Sequence, residues 1–277
     1  AGPLSPWRVG DRVIAPFILS CGTCPECRQG LSTICASQRV PGFGEPGAYA
    51  QYISVPRAHN LARLPDAVTP VLAAGLGCRV TTAWQALTGR AALQAGEWLA
   101  VHGTGGIGLS VLILGRALGA RVVVVDVVPE KLDHALSLGA EHAFDARDGD
   151  VAARIREVTK GGAHVSVEAL GIAATANTSL QCLRPLGRHV QVGLPTGHTA
   201  RQEIDMNAVY MKQLAVYGTR GMPAWKYPSL LDMIERGVVD VSPLVARVVP
   251  LSGASAELRA FDAPMPPGVA VIGDFSA

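Results

Sequence analysis

Charged and aromatic residues are scarce in this sequence. Of its 277 residues, 17% are charged and 5% are aromatic, whereas 49% are hydrophobic. Disordered chains show the opposite balance, so this composition indicates a folded protein with a large core. The net charge is only +2, and the 24 basic residues are scattered along the chain. We therefore expect no nucleic acid or membrane partner, and a small molecule as the ligand.

Long apolar segments are also missing. No charged segment followed by an apolar run opens the chain, so we expect no secretory signal and a cytoplasmic protein. The longest uncharged stretch runs from Trp98 to Gly115 and is barely long enough for a membrane-spanning helix. Four of its five glycines fall within Gly103 to Gly108, which favours a strand that turns into a helix.

The seven histidines lack the i, i+4 spacing of a helical zinc site. Three of them, His102, His164 and His189, lie in or beside predicted strands, where we expect satisfied core residues or residues at the edge of a cofactor site. Two isolated cysteines, Cys78 and Cys182, lie among apolar residues, which is more typical of a small buried side chain than of a ligand.

Four further cysteines lie close together in the sequence, with two, two and seven residues between them: Cys21, Cys24, Cys27 and Cys35. Four thiolates this close can surround one tetrahedral cation. Disulfides are disfavoured in a chain without a secretory signal. An iron–sulfur cluster of the bacterial ferredoxin type requires three residues and a Cys-Pro at its end, where this chain has seven and Cys-Ala. The spacing predicts a structural zinc lobe over residues 20–36.

A glycine-rich turn follows the predicted strand Trp98 to His102 and opens a helix. Its residues match the dinucleotide-binding pattern G-x-G-x-x-G, and they are Gly103, Thr104, Gly105, Gly106, Ile107 and Gly108. The first glycine permits the tight turn, the second lets the backbone approach a pyrophosphate, and the third lets helix and strand pack closely. The free N–H groups of the helix N-terminus favour phosphate. An ordinary glycine-rich loop is the alternative.

Asp126 ends the next predicted strand, close to the place after the glycine turn where dinucleotide-binding sites carry an acid. A carboxylate there can accept hydrogen bonds from an adenosine ribose, whereas it would repel the additional phosphate of NADP. The position therefore favours NAD. The alternative is an acid that caps the following helix.

Apolar runs alternate with helical segments after Trp98, and the pattern predicts an α/β fold with a doubly wound parallel sheet. The six predicted strands are Trp98–His102, Arg121–Asp126, His142–Phe144, His164–Glu168, Arg188–Val192 and Leu214–Gly218. The segment before residue 82 is predicted to be rich in β-structure and loops, with extended runs at Asp11–Ala15 and Ala48–Val55. After Gly218, helices at Trp225–Arg236 and Gly253–Phe261 and strands at Leu244–Val249 and Gly268–Ile272 are expected to rejoin that first segment.

Three features, in this order, resemble the zinc-dependent alcohol dehydrogenases of the medium-chain dehydrogenase/reductase superfamily: the four-cysteine lobe, the Gly-Cys-Arg-Val-Thr-Thr-Ala segment around Cys78 and the Gly-Thr-Gly-Gly-Ile-Gly turn. The resemblance implies a GroES-like catalytic domain of residues 1–82 and 219–277, and an NAD-binding domain of residues 83–218. It also implies hydride transfer from an alcohol to NAD, which gives an aldehyde or a ketone, and a homodimer or homotetramer joined through the strand Leu214–Gly218.

The resemblance further implies roles for single residues. Cys78 would be a ligand of a separate catalytic zinc, which reverses the expectation from its apolar neighbours. Thr82 and Ile107 would lie beside the nicotinamide, and Lys131 near the adenosine ribose. Ala169 and Leu170 would lie under the cofactor. The pocket of the nicotinamide amide would be lined by Val192, Gly193 and Leu194.

Family members carry a second catalytic-zinc Cys and a Gly-His-Glu ahead of the segment that corresponds to Gly10–Val13, and this sequence does not contain them. A non-catalytic, zinc-stabilised NAD-binding protein is therefore the alternative. The zinc-free quinone reductase branch is disfavoured by the cysteine lobe and by Asp126. From the ligands present, the chain as written is expected to bind NAD and to oxidise alcohols at a negligible rate.

Overall fold

The computed structural model describes residues 5–260 and 268–276. The chain divides into two compact units, a first unit of Ala1–Thr81 with Gly221–Ala277 and a second unit of Thr82–Arg220. The sequence analysis placed its domain boundaries after residue 82 and before residue 219.

Short strands and helices alternate along the described residues. The strands are β1 (Val13–Ile14), β2 (Ala62–Arg63), β3 (Trp98–His102), β4 (Arg121–Asp126), β5 (His142–Asp145), β6 (Ala163–Glu168), β7 (Leu183–Gln191), β8 (Ala215–Gly218), β9 (Val245–Pro250) and β10 (Val269–Asp274). The α-helices are α1 (Pro25–Arg28), α2 (Pro70–Trp84), α3 (Gly106–Ala117), α4 (Pro129–Ser137), α5 (Val151–Val158), α6 (Ala173–Gln181), α7 (Met206–Lys212), α8 (Tyr227–Glu235) and α9 (Ala254–Arg259).

The second unit is built on a six-stranded sheet with the order β5-β4-β3-β6-β7-β8. All five strand pairs are parallel. Every residue of β3 is buried, and so is every residue of β4 after Arg121, as expected for central strands covered on both faces. The prediction of a doubly wound parallel sheet is confirmed.

The helices of the second unit begin where the sequence provides a start signal. The side chain of Asp150 accepts a hydrogen bond from the N–H of Ala153 and caps α5. Helix α4 begins with a proline, whose missing N–H costs nothing in the first turn. Cys182 is buried in the core with Trp98, Ile155 and Leu180, which confirms the expectation of a small buried side chain.

The first unit contains two small two-stranded sheets among its described residues. Strands β1 and β2 pair antiparallel, and β9 and β10 pair parallel. The predicted helix and strands after residue 218 are present as α8, β9 and β10, whereas Phe261, the predicted end of α9, lies outside the described residues.

One prediction for the first unit is wrong, and one helix was missed. Residues 48–55 form no strand, since the segment pairs with no described strand and exposes Tyr49 and Tyr52 at 61% and 90%. The segment 70–84 is the helix α2, which the sequence analysis did not predict. Gly77 interrupts α2 with φ +30°, and the helix owes its stability to buried residues such as Leu76 and Val80 rather than to helix propensity.

No helix in the described part of the chain has both the length and the apolar character needed to cross a lipid bilayer.

Candidate metal and dinucleotide sites

The four cysteines of the lobe converge on one point. The ligand atoms of Cys21, Cys24, Cys27 and Cys35 all lie within 4.8 Å of one another. The Sγ atoms of Cys21 and Cys27 are 4.0 Å apart, and those of Cys24 and Cys35 are 3.8 Å apart. A tetrahedral zinc with bonds of about 2.3 Å spaces its sulfur ligands about 3.8 Å apart. The two sulfur separations are close to those around one zinc ion, and they exceed the roughly 2.0 Å of a disulfide.

Backbone groups around the lobe direct donors towards its sulfurs. Gly22 and Gly30 have φ of +76° and +79°, which lets the chain turn back towards the sulfurs. The N–H groups of Thr23 and Cys24 each donate to Cys21 Sγ at 3.4 Å. Hydrogen bonds from the Thr23 hydroxyl, its N–H and the N–H of Cys24 lower the pKa of Cys21 to about 5. A metal binds the thiolate, so the surroundings of Cys21 suit a ligand, whereas burial raises the pKa of the Cys35 thiol in the metal-free lobe.

A buried polar cluster behind the lobe was missed by the sequence analysis. The Asn60 side chain is 2% exposed; it accepts from the Ser20 N–H at 2.9 Å and donates to the Ser20 carbonyl at 3.0 Å. His59 Nε2 lies 3.0 Å from Ser20 Oγ. A Cβ added to Gly22 would lie 2.5 Å from the His59 ring. These contacts hold the chain next to Cys21, and the adjacent His-Asn pair was the only local signal for them.

Cys78 lies in α2, immediately after the irregular Gly77, and it is exposed. The expectation of a buried side chain is therefore wrong for this cysteine. Within residues 5–260 and 268–276, the four-cysteine lobe is the one group of three or more metal-binding side chains, so Cys78 is not joined by two further ligands. A catalytic zinc requires three protein ligands. The described residues therefore fit a structural zinc at the lobe and do not by themselves form a catalytic zinc site.

The predicted strand histidines differ in their surroundings. His189 lies 3.2 Å from Ser166 Oγ and 3.0 Å from Ser179 Oγ, and His164 accepts from the Trp98 N–H at 3.0 Å. These two are satisfied, as expected. Burial lowers the pKa of His102 to about 3, so its ring is neutral. Its Nδ1 has no hydrogen-bond partner among the described residues, so this histidine is not fully satisfied.

The glycine turn has the geometry that its sequence predicts. Gly103 follows β3 with φ +91°, in the region that favours glycine. A Cβ added to Gly105 would meet no described atom within 4 Å, so the space beside the start of α3 is open. A Cβ added to Gly108 would overlap the Gly103 carbonyl oxygen, so only glycine lets α3 pack this closely against the turn. Free N–H groups at this helix start can bind a pyrophosphate.

Asp126 lies at the end of β4 and connects the strand with the glycine turn. Its Oδ2 accepts hydrogen bonds from the N–H and the hydroxyl of Thr104, both at 2.7 Å. Its Oδ1 accepts from the N–H groups of Val127 and Val128 at 2.8 and 3.2 Å. Desolvation raises the pKa of this carboxyl, but the hydrogen bonds outweigh it and the net shift is downward. The acid is ionised at neutral pH and sits beside the turn.

The remaining residues predicted for the cofactor come from several elements of the chain. Ile107 is partly buried in the first turn of α3, Lys131 is the third residue of α4, and Thr82 is buried in α2. Leu170 and Leu194 are 51% and 73% exposed. The other residues predicted for these two segments are less exposed: Ala169 and Val192 are partly buried, and Gly193 is buried. Leu170 lies next to the glycine turn, because a Cβ added to Gly103 would lie 2.8 Å from its side chain.

Glu168, at the end of β6, is a buried residue whose role the sequence analysis missed. It is fully buried, and hydrogen bonds from Leu170, Gly171, Thr175 and Gln191 surround its carboxyl group. The available signal was the single acid of strand β6, at the end of the strand, with a glycine at the third position after it.

Two family models match the chain. Residues 2–66 match the alcohol dehydrogenase GroES-like domain, and residues 106–236 match the zinc-binding dehydrogenase domain. An alcohol dehydrogenase from Geobacillus stearothermophilus is 34% identical over 235 residues, which are 84% of this chain and 67% of that protein. An L-threonine 3-dehydrogenase from Idiomarina loihiensis is 30% identical over 251 residues, 88% of this chain and 70% of that protein.

Solved structures give the same relationship. The alcohol dehydrogenase TADH from Thermus sp. ATN1 aligns with a TM-score of 0.86 and 29% identity, over 94% of this chain and 76% of that one. A zinc-binding dehydrogenase candidate from Sinorhizobium meliloti, bound to NADP, aligns with a TM-score of 0.85 and 26% identity, over 98% of this chain and 79% of that one.

The fold and the cysteine lobe thus define a zinc-binding dehydrogenase with a GroES-like domain. The chain belongs to the zinc-type alcohol dehydrogenases of the medium-chain dehydrogenase/reductase superfamily, a family of oxidoreductases. The resemblance noted in the sequence is confirmed.

Replacement of one lobe ligand tests the structural zinc. We expect Cys24→Ser to lose bound zinc and to lower the melting temperature by about 5 °C or more, because a structural zinc contributes directly to folding. Metal analysis and a thermal melt measure both quantities. Gln29→Ala, an exposed change in the same lobe, should alter neither. Unchanged zinc and stability in Cys24→Ser would contradict the assignment.

Proposed function

We propose that these residues serve an NAD-dependent dehydrogenase that transfers a hydride from an alcohol to NAD and releases an aldehyde or a ketone. The observation that carries the proposal is the ionised Asp126 held against the Gly103–Gly108 turn by Thr104. This pairing of a phosphate-binding turn with an acid at the end of the next strand is the arrangement that binds an adenosine diphosphate group and its ribose.

The charge at Asp126 favours NAD over NADP. A phosphate on the ribose would come within about 4 Å of the carboxylate, and two like charges at that distance repel by ~4 kcal/mol at an effective dielectric constant near 20. No arginine follows to relieve the repulsion, since the next four residues are Val127, Val128, Pro129 and Glu130. The Sinorhizobium meliloti relative is bound to NADP, so cofactor preference is a point on which this chain can differ from its relatives.

The Thr104 hydroxyl is the donor that a ribose can replace. Asp126 already accepts four hydrogen bonds, and three of them come from backbone N–H groups whose positions the turn determines. The fourth comes from a side-chain hydroxyl, which can rotate away. A ribose hydroxyl would take the place of this donor, so the acid would stay fully hydrogen-bonded when the cofactor is bound.

Zinc and NAD would supply different parts of the chemistry. When bound, a catalytic zinc supplies Lewis acidity at the alcohol oxygen, and NAD supplies the hydride acceptor. In this chain Cys78 offers one ligand, while Ile107, Leu170 and Leu194 offer apolar surface for the nicotinamide end. The protein's own contribution is to bind and orient the cofactor.

A second candidate function is a non-catalytic, zinc-stabilised NAD-binding protein. The observation that favours it is that Cys78 is joined by no two further ligand side chains within the described ranges. Both candidates require NAD binding and the structural zinc, so these two properties do not discriminate between them. The number of zinc ions per chain and the turnover of alcohols do.

Zinc content and turnover test the dehydrogenase proposal. We expect the chain as written to bind NAD and about one zinc per chain, with negligible NADH production from primary alcohols, secondary alcohols or L-threonine, because Cys78 alone cannot hold a catalytic zinc. The same chain extended with a Cys- and Gly-His-Glu-bearing segment should bind about two zinc ions and turn over. Cys78→Ala should abolish that turnover. An inactive extended chain with one zinc would support the non-catalytic function instead.

Substitution of Asp126 tests the cofactor preference. We expect Asp126→Gly to weaken NAD binding about tenfold and to reduce the discrimination against NADP, because the change removes both the ribose acceptor and the repelling charge. Calorimetric titration with both cofactors measures the effect. Asp133→Ala removes an exposed carboxylate from α4 and is the matched control. A wild-type chain that prefers NADP would contradict the interpretation.

The free edge of the parallel sheet is the proposed subunit interface. Strand β8 ends the sheet and pairs with β7 alone among the described strands, and Val216 on it is 44% exposed. An unpaired edge of this kind favours pairing with a second copy, in a homodimer or homotetramer. We expect Val216→Lys to shift the protein towards monomer in light scattering after size-exclusion chromatography. A wild-type monomer, or a variant of unchanged mass, would contradict this interface.

A further inference from the structure

Glu168 is an acid with no exposed surface and with hydrogen bonds to donors only. Its Oε1 accepts from the N–H groups of Leu170 and Gly171 at 2.9 and 3.0 Å and from the Thr175 hydroxyl at 2.6 Å. Its Oε2 accepts from the Gly171 N–H at 2.8 Å and from the side-chain amide of Gln191. A carboxylate only accepts hydrogen bonds, so this ring of donors suits the ionised side chain.

The same residue also holds the loop after β7. The main-chain carbonyl of Glu168 accepts from the N–H groups of Val192 and Gly193 at 2.9 and 2.8 Å. Gln191, which donates to the Glu168 side chain, donates also to the Gly193 carbonyl at 2.9 Å. One residue therefore connects the loop of residues 169–171 with the loop of residues 192–194.

The two loops lie so close together that neither Gly171 nor Gly193 has room for a side chain. A Cβ added to Gly193 would lie 2.5 Å from Glu168 Oε2 and 2.5 Å from the Leu170 nitrogen. A Cβ added to Gly171 would lie 2.5 Å from the Leu194 carbonyl oxygen. The shape of both loops thus depends on the glycines and on the small, fully hydrogen-bonded carboxylate between them.

We infer that Glu168 is a positioning residue that sets the nicotinamide half of the cofactor site through these two loops. The inference rests on the proposed function and on the resemblance, which implies that residues 192–194 line the nicotinamide amide pocket and that residues 169–170 lie under the cofactor. The adenosine half is organised by other groups, namely Asp126 and the glycine turn. The side chain of Glu168 bonds to neither of them, so its replacement acts on one half of the cofactor.

The test compares a ligand that has the nicotinamide with one that lacks it. Glu168→Gln keeps the size of the side chain but turns one acceptor oxygen into a donor that faces the donors of Gly171 or Gln191. We expect the dissociation constant of NADH to rise about tenfold or more, and that of ADP-ribose to change less than about twofold, as measured by calorimetry. Glu141→Gln, at an exposed ion pair with Arg121, is the matched control and should change neither.

Three results would overturn the inference. Equal weakening of NADH and ADP-ribose together with a lower melting temperature would indicate a purely structural role, and unchanged binding of both would indicate no role. If Glu168→Gln does not fold, Gln191→Leu is the second variant, because it removes one donor to Oε2. It should also weaken NADH binding more than ADP-ribose binding, by a smaller factor than Glu168→Gln. Equal changes in the two dissociation constants would contradict the inference. A wild-type chain that binds neither ligand would contradict the proposed function itself.

Discussion

The register of one parallel sheet determines where the functional groups of the second unit lie. His102, Glu168 and Gln191 are register partners at the carboxyl ends of β3, β6 and β7, and Asp126 ends β4 just beyond the partner of His102. The loops that follow these strands are therefore gathered at one edge, on either side of the point where the strand order reverses. A slip of a single position in any strand would turn these side chains to the opposite face.

Burial at this edge makes each acid depend on its own loop. Asp126 is 8% exposed and Glu168 is 0% exposed, and an unpartnered carboxylate there would cost several kcal/mol. Each acid accepts N–H groups from the residues that follow its strand, Val127 and Val128 in one case and Leu170 and Gly171 in the other. Each then accepts a donor from a second segment. The hydrogen bonds that a buried carboxylate requires thus determine the conformation of the loops after β4 and β6, and they connect each loop to a second segment.

The sequence predicts the parallel sheet well, but it predicts the hydrogen bonds around the buried acids poorly. Four consecutive valines in β4 and the apolar β3 indicate buried parallel strands, and the spacing of the glycine turn identifies the place where a dinucleotide binds. The partners of Glu168 come from three segments, so only the folded chain brings them together. Helix α2 was missed for a related reason: Gly75, Gly77 and the β-branched residues near its end disfavour a helix locally, and burial of Leu76 and Val80 outweighs that preference.

The two cysteine sites show the same distinction between local and non-local order. The lobe places all four ligands in the short segment from Cys21 to Cys35, where the conformations of Gly22 and Gly30 and the short helix α1 help to bring its sulfurs to metal-binding distances. Its prediction needs no knowledge of the fold. Cys78 contributes one thiol from α2, and any further ligands must come from elsewhere in the chain, so nothing in its own neighbourhood could distinguish a ligand from a core residue. Sequence spacing predicts a metal site when all its ligands lie within one short segment. A site whose ligands come from distant segments can be identified only from the fold or from resemblance to a family.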